Sequence, residues 1–236
     1  VEKLVKAGAD VNARGYCGMT ALMHTVTSVD YEERHDVYPQ QNKMRSCLLD
    51  AKADILIKND YSEDAFFIAI EHDRDTAILK QLLKAGARFD TRKNKGETAL
   101  MFAVEHRNFD AMEFLLSKKA DVNAVSDEGE TALTKAFKRT WSIEGCVEWL
   151  VTHGARFDPA SRQQVSAFVK AVSSGLEPTT FDFFVKAGGD VDGMPSRDLI
   201  PLFAAVKCGK RSQLRALIAA RANINARGSN DDTALI

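Results

Sequence analysis

The chain has 236 residues and nearly balanced charge, 32 Lys plus Arg against 33 Asp plus Glu, for a net of −1. That balance gives no general electrostatic footprint for nucleic acid; no apolar run is long enough to span a bilayer, and Val1 opens no signal-peptide pattern. Cys17, Cys47, Cys146 and Cys208 lie far apart with no Cys-x-x-Cys and no zinc spacing, which reads as free thiols in a reducing compartment, cytoplasmic or nuclear.

In chain order, Val1–Ala7 has the pattern of a short helix and Asp10–Thr20 is a polar turn. Thr20-Ala21-Leu22-Met23 opens the next helix on a capping threonine. Ser28–Met44 follows as an inter-helix insertion carrying Asp30, Glu32, Glu33, Asp36, Tyr31, Tyr38 and Pro39; it is either a tolerated surface loop or a binding face. Asp64-Ala65-Phe66-Phe67 opens a degenerate helix with Phe66 inward. Gly96–Ala124 is the best-formed stretch. Thr98 caps a helix with Ala99, Leu100 and Ala103, Glu105–Asn108 is a polar break, and Phe109, Met112, Leu115 and Leu116 have helical spacing before the polar turn Lys118–Asn123. Two such short helices are unstable alone and must bury their stripes against neighbours. Gly129–Gly154 adds two residues near Arg139–Ser142, with Trp141 in a turn and Trp149 inward beside Leu150. Phe157–Gly188 is the least regular stretch. Pro159 and Pro178 bracket a first helix opening near Ser166, and Phe168, Phe181, Phe183 and Phe184 fill the interior. Leu202–Ala222 is regular again.

The phrase Leu-Leu-x-x-Gly-Ala-Asp-Val-Asn recurs in graded form, with its glycine slot held by Gly8, Lys52, Gly86, Lys119, Gly154, Gly188 and Arg221. The steps between slots are 44, 34, 33, 35, 34 and 33 residues, and a helix-opening position follows each slot by 12: Thr20, Asp64, Thr98, Thr131, Ser166, Ile200 and Thr233. A period in this range signals a solenoid, and the 44-residue step places about eleven extra residues in the insertion.

These residues resemble the ankyrin repeat along the whole chain. The family's threonine-proline-leucine-histidine opening is similar to Thr20–Met23, Thr98–Met101, Thr131–Thr134 and Ile200–Phe203, and Gly8–Asn12 is a literal Gly-Ala-Asp-Val-Asn closing. Proline survives in the opening only at Pro201, and Ser166–Val169 has lost the opening. The resemblance implies an all-α solenoid of stacked helix-turn-helix units with β-hairpin-like finger loops. It would form a single domain, 1–236, of about six full repeats (15–56, 59–90, 93–124, 126–158, 161–192, 195–227), a partial repeat at each end (1–12, 228–236) and an insertion at about 28–44. Ends that cut through a unit suggest a piece of a longer protein.

No phosphate loop, dinucleotide fingerprint or nucleophile elbow occurs. The five histidines have no i, i+4 pair for a metal; His72 and His106 share a repeat position and should lie near each other. The expectation is therefore no catalytic, cofactor or metal site. The resemblance implies a monomeric protein-interaction scaffold that binds another protein through finger loops and the concave helix face, with contacts at finger tips and first-helix ends. Carried onto matching positions, with the insertion added, the candidate contacts are Tyr16, Tyr31, Tyr38, Asp60, Tyr61, Glu63, Lys95, Glu97, His106, Glu128, Lys138, Arg139, Trp141 and Lys207. An alternative is a targeting or autoinhibitory segment of a larger enzyme or microbial effector. The resemblance also implies possible hydroxylation at Asn12, Asn123 and Asn225, against a plain turn-stabilising role. Charge is uneven: acids dominate Asp30–Asp75 and bases dominate Arg197–Arg227.

Overall fold

The computed structural model describes residues 1–27, 34–72, 76–138, 144–194, 199–228 and 230–234; for 34–39 and 144 only the backbone is described. The described residues are all-α, with thirteen helices and a few isolated β-bridges. The chain divides into two compact units, Val1–Ala120 and Asp121–Ile236. The first holds α1 (Glu2–Lys6), α2 (Ala21–His24), α3 (Arg34–Asp50), α4 (Ala65–His72), α5 (Ala77–Lys84), α6 (Ala99–Glu105) and α7 (Phe109–Ser117). The second holds α8 (Ala132–Lys138), α9 (Glu144–Thr152), α10 (Arg162–Ser174), α11 (Pro178–Lys186), α12 (Pro201–Lys207) and α13 (Arg211–Ala219). In the first unit α4 packs against both α2 and α6, and each of these three is backed by the helix that follows it. In the second, α8, α10 and α12 form one row and α9, α11 and α13 the other. Each unit is thus a stack of helix pairs that lean on one another.

Helix endings explain the constant slot. All seven slot residues have positive φ, from 59° at Lys52 to 107° at Gly86. Each slot amide donates to the carbonyl three residues back and the next amide to the carbonyl five back, as Lys119 to Leu116 (2.8 Å) and Ala120 to Leu115 (3.0 Å). This Schellman closure satisfies carbonyls that a helix end leaves orphaned. Glycine adopts it freely, whereas Lys52, Lys119 and Arg221 each carry about 1 kcal/mol of strain.

Helix starts follow the capping pattern with one correction. The hydroxyls of Thr20, Thr98 and Thr131 accept from the amides of Met23 (3.3 Å), Met101 (3.2 Å) and Thr134 (3.3 Å). The Asp64 carboxylate accepts from Phe66 (3.0 Å) and Phe67 (3.1 Å). Ile200 has no acceptor to offer, and Pro201 at the first helical position needs none for its own nitrogen. The expected opening at Ser166 is wrong: Ser166 lies inside α10, whose cap is Ser161, accepting from Gln164 at 3.4 Å. Gln164 in turn accepts from the Asp158 amide (2.9 Å), so the turn after Pro159 runs straight into a helix of 13 residues.

The insertion also departs from expectation. Helix α3 runs unbroken through 17 residues, so Arg34–Met44 extends a helix instead of forming a loop. Arg45, almost fully buried, holds this longer helix in place. Its guanidinium donates to the Thr25 carbonyl (2.7 Å), Gln81 Oε1 (2.7 Å) and Asn42 Oδ1 (3.2 Å), and Gln81 donates onward to Ser46 (3.0 Å).

In the second unit Phe137, Phe157, Phe168, Phe181 and Phe184 form one aromatic cluster, mostly edge to face. Phe168 and Phe184 stack at 3.6 Å between centroids. Phe184 takes a position that is Leu in the six other phrases, and Gly189 one that is Ala in the other six. A Cβ on Gly189 would enter the Phe184 ring, so the larger side chain requires the smaller neighbour. Three aromatics expected inward are not core. Phe183 is half-buried under the Lys186 ammonium (5.0 Å), Trp149 is half-buried and stacks on His153 (4.0 Å), and Phe109 is exposed.

Candidate functional site

Between helix pairs the chain turns outward as short hairpins. Bridges join Arg14 to Thr20, Arg92 to Thr98 and Met194 to Leu199. At matching places the Asn59 amide donates to the Glu63 carbonyl and Ser126 to Glu130, both at 2.8 Å. Turns held on a rigid scaffold suit recognition. The hairpin before α10 is missing, because Ser161 starts that helix early.

The first two tips are joined. The Asp60 amide donates to the Cys17 carbonyl (3.0 Å), and Arg14 Nη2 pairs with Asp60 Oδ1 (3.0 Å). The Cys17 thiol lies 3.9 Å from the Tyr61 hydroxyl; this hydrogen bond is the main cause that pushes the Tyr61 hydroxyl above its ordinary value. Gly18, at φ +70°, permits the approach, since any Cβ there would strike Arg14 and Asp60. On this braced pair of tips Tyr16 is 91% exposed and Tyr61 60%.

Other predicted residues are more engaged. Glu63 is largely buried, receiving Lys93 Nζ (2.6 Å) and Asn59 Nδ2 (3.1 Å), with Lys93 over the Phe102 ring at 4.6 Å. Lys138 is paired with the buried carboxylate of Glu130, which also receives Lys135 (3.4 Å). Lys95 and Glu128 are exposed near the third and fourth tips, Glu97 is half-buried, and Lys207 is exposed at the end of α12. His72 and His106 do lie near each other: both approach Glu71, at 3.9 and 3.6 Å, and His106 rests on Phe102. Among the described residues no group of three could hold a metal. Tyr31, Arg139 and Trp141 fall outside the described residues, as does the side chain of Tyr38.

The turn asparagines bridge successive repeats. Asn12 Oδ1 accepts from the Asp54 amide (2.7 Å) and Asn123 Oδ1 from the Arg156 amide (2.7 Å). Asp192, at the same position, accepts from the Asn223 amide (2.6 Å). Asn225 accepts no such bond; its own amide donates to Asn223 Oδ1 at 3.0 Å.

The family model described as "Ankyrin repeats (3 copies)" matches residues 38–126 and 66–161, together more than half the chain. The chain belongs to the ankyrin repeat family. It is 34% identical over 155 residues to the Neurogenic locus Notch protein of Drosophila melanogaster, covering 62% of this chain and 6% of that protein. It is 30% identical over 103 residues to Ankyrin repeat, SAM and basic leucine zipper domain-containing protein 1 of Echinops telfairi, covering 43% of this chain and 22% of that protein. The crystal structure of the ankyrin repeat domain of Bcl-3 superposes with a TM-score of 0.67 at 22% identity, over 92% of this chain and 93% of that one. Ankyrin repeats are in general protein–protein interaction modules and are typically non-catalytic. Among the described residues no helix of this ankyrin chain is long and apolar enough to cross a membrane.

Sequence reasoning missed Arg45 and the inward role of Asn108, and it reads Glu130 as a finger-tip contact although that carboxylate is buried. Asn108 is fully buried, donates to the Ile70 carbonyl (2.7 Å) and caps α7 through the Ala111 amide (2.9 Å). Each stands in a stretch that reads as polar surface, and only the offset from the slot hints at an inward position.

Proposed function

We propose that this ankyrin array is a protein-binding module that engages its partner through the finger tips and the adjoining first-helix ends. The Tyr16–Tyr61 pair carries the reading. Both rings face solvent on tips already braced to each other, so little remains to be ordered on binding. Aromatic anchors contribute a large share of interface energy. Lys95, Glu128 and Lys207 are accessible on the same kinds of position. Free thiols at Cys17, Cys47, Cys146 and Cys208 suit a reducing compartment, cytoplasmic or nuclear, and a monomer suits the reading. Asn12 and Asn123 sit in accessible turns, as a hydroxylase would require; intact-peptide mass spectrometry of protein from the native host showing no added oxygen would remove that part.

The test is affinity capture from the native host with quantitative mass spectrometry, using the parent chain and Tyr16→Ala, Tyr61→Ala and Lys95→Ala variants. A partner held by the parent should be depleted from the tyrosine variants, whose melting curves stay close to the parent's. If all three variants bind the recovered partner as the parent does, the finger face is the wrong one. A second reading, a targeting or autoinhibitory segment of a larger enzyme or effector, is motivated by relatives that match over a small part of their length.

A further inference from the structure

From Leu199 to Ser229 the chain has no aspartate or glutamate, yet it carries Lys207, Lys210, Arg211, Arg215, Arg221 and Arg227. Several cations outside this stretch are paired, Arg14 with Asp60, Lys93 with Glu63, and Lys135 and Lys138 with Glu130, and within it Arg227 is paired with Asp231. Among the described residues Lys207, Lys210, Arg211 and Arg215 pair with no carboxylate within 4.0 Å. Lys207 ends α12; Lys210 immediately precedes α13, and its ammonium lies 3.6 Å from where a Cβ on Gly175 would sit. Arg211, Arg215 and Ile218 are exposed at i, i+4 and i+7, one continuous stripe on α13. The exposure belongs to the repeat and not to its place in the chain. Glu148 on α9 and Asp182 on α11 hold the position of Arg215 in their own units, and both are exposed. Within the second unit that outward position changes sign at α13; in the first unit α5 already carries the exposed Lys80 there.

We propose that this face docks an acidic amphipathic helical segment of a partner protein. Carboxylates four residues apart meet Arg211 and Arg215, an apolar side chain meets Ile218, and Lys207 and Lys210 extend the positive field at one end. Arginine is suited to such pairing because its planar fork matches a carboxylate. The surroundings favour a peptide over other polyanions. The exposed large apolar side chains of this stretch are Val206, Ile218 and Ile224 and its aromatic residue, Phe203, is half-buried, so no exposed ring is offered for stacking bases. Asp182 on the adjoining α11 would repel a broad anionic sheet such as a membrane while merely bordering a single docked helix.

The experiment is fluorescence anisotropy with the 236-residue chain and a labelled short amphipathic helical peptide bearing glutamates at i and i+4 and leucine at i+7. The parent should bind saturably, with affinity falling as salt rises. Arg211→Glu combined with Arg215→Glu should weaken binding about tenfold, and a peptide with lysines in place of its glutamates should restore it. Arg211→Gln combined with Arg215→Gln should weaken it in the same direction, and serves if charge reversal lowers the melting temperature. Tyr16→Ala with Tyr61→Ala should bind the peptide like the parent, which separates this face from the finger tips. Absence of binding by the parent, equal binding by the charge-reversed chain, or equal affinity for oligouridylate or phosphatidylserine vesicles would overturn the proposal.

Discussion

At Gly189 the phrase reads Gly-Gly-Asp where most units carry alanine in the second place, and the cause lies five residues back. Phe184 is buried against Phe168 and fills the volume a methyl group would need. Gly189→Ala should destabilise the protein by about 1–3 kcal/mol through overpacking. Phe184→Leu should relieve that clash, so urea unfolding of the two single variants and the double should give a coupling well above additivity error. Asp64 offers a second residue-scale test. Burial raises its carboxyl above the ordinary value, and the Phe67 and Phe66 amides pull it back only in part. A carboxyl raised in the folded state contributes stability that is present below its unfolded value, about pH 4, and lost as pH rises through the folded value. Asp64→Asn keeps the acceptor for both amides without the charge. It should be the more stable form at neutral pH, with the gap closing on acidification, as read by urea midpoints across that range. The slot glycines were legible in the sequence because a left-handed helix end admits few residues. The Phe184–Gly189 pair was not, because neither residue violates the pattern alone.

Helices tell a similar story about what period and spacing convey. Threonine openings announced α2, α6 and α8, because a hydroxyl before an apolar run has one evident task. The start of α10 was hidden, since Ser161 lies outside the phrase that marks the others. The 44-residue step counts the added residues without giving their form. A count fixes how many residues are added and not whether they lengthen a turn or a helix, and Arg45 supplies the buried contacts that favour the helix. Asn108 was read as part of a polar break, yet it caps α7 and ties it to the end of α4. Asn108→Ala should cost roughly 2–4 kcal/mol, from the lost cap and the orphaned Ile70 carbonyl. Chemical denaturation is the measurement; a loss below about 1 kcal/mol would mean that water replaces the side chain. At the helix ends, Gly86→Ala should lower stability by about 1 kcal/mol, whereas Lys119→Gly should be neutral or slightly stabilising.

At the scale of the whole molecule, the stability of each unit is a sum of pairwise packing between its neighbouring helix pairs. Leu100 is buried between such layers, and Leu100→Ala should cost roughly 2–5 kcal/mol through the cavity it leaves. Tyr16→Ala should leave the urea midpoint unchanged, and this contrast between interior and tip is what the all-α repeat reading requires. The tip positions were legible from the constant offset. Which tips are engaged by a neighbour was not, because the pairs Lys93–Glu63 and Arg14–Asp60 join residues 30 and 46 apart. The acceptors Asn12, Asn123 and Asp192 have a consequence for how such a chain can be assembled. Each takes a main-chain amide from the next unit, and the donors Asp54, Arg156 and Asn223 share a repeat position but differ in side-chain charge. A coupling that asks only for a backbone on its far side is indifferent to what is spliced in. Modules can then be duplicated, deleted or exchanged between proteins, with their outward faces redrawn, while the joint between them stays the same.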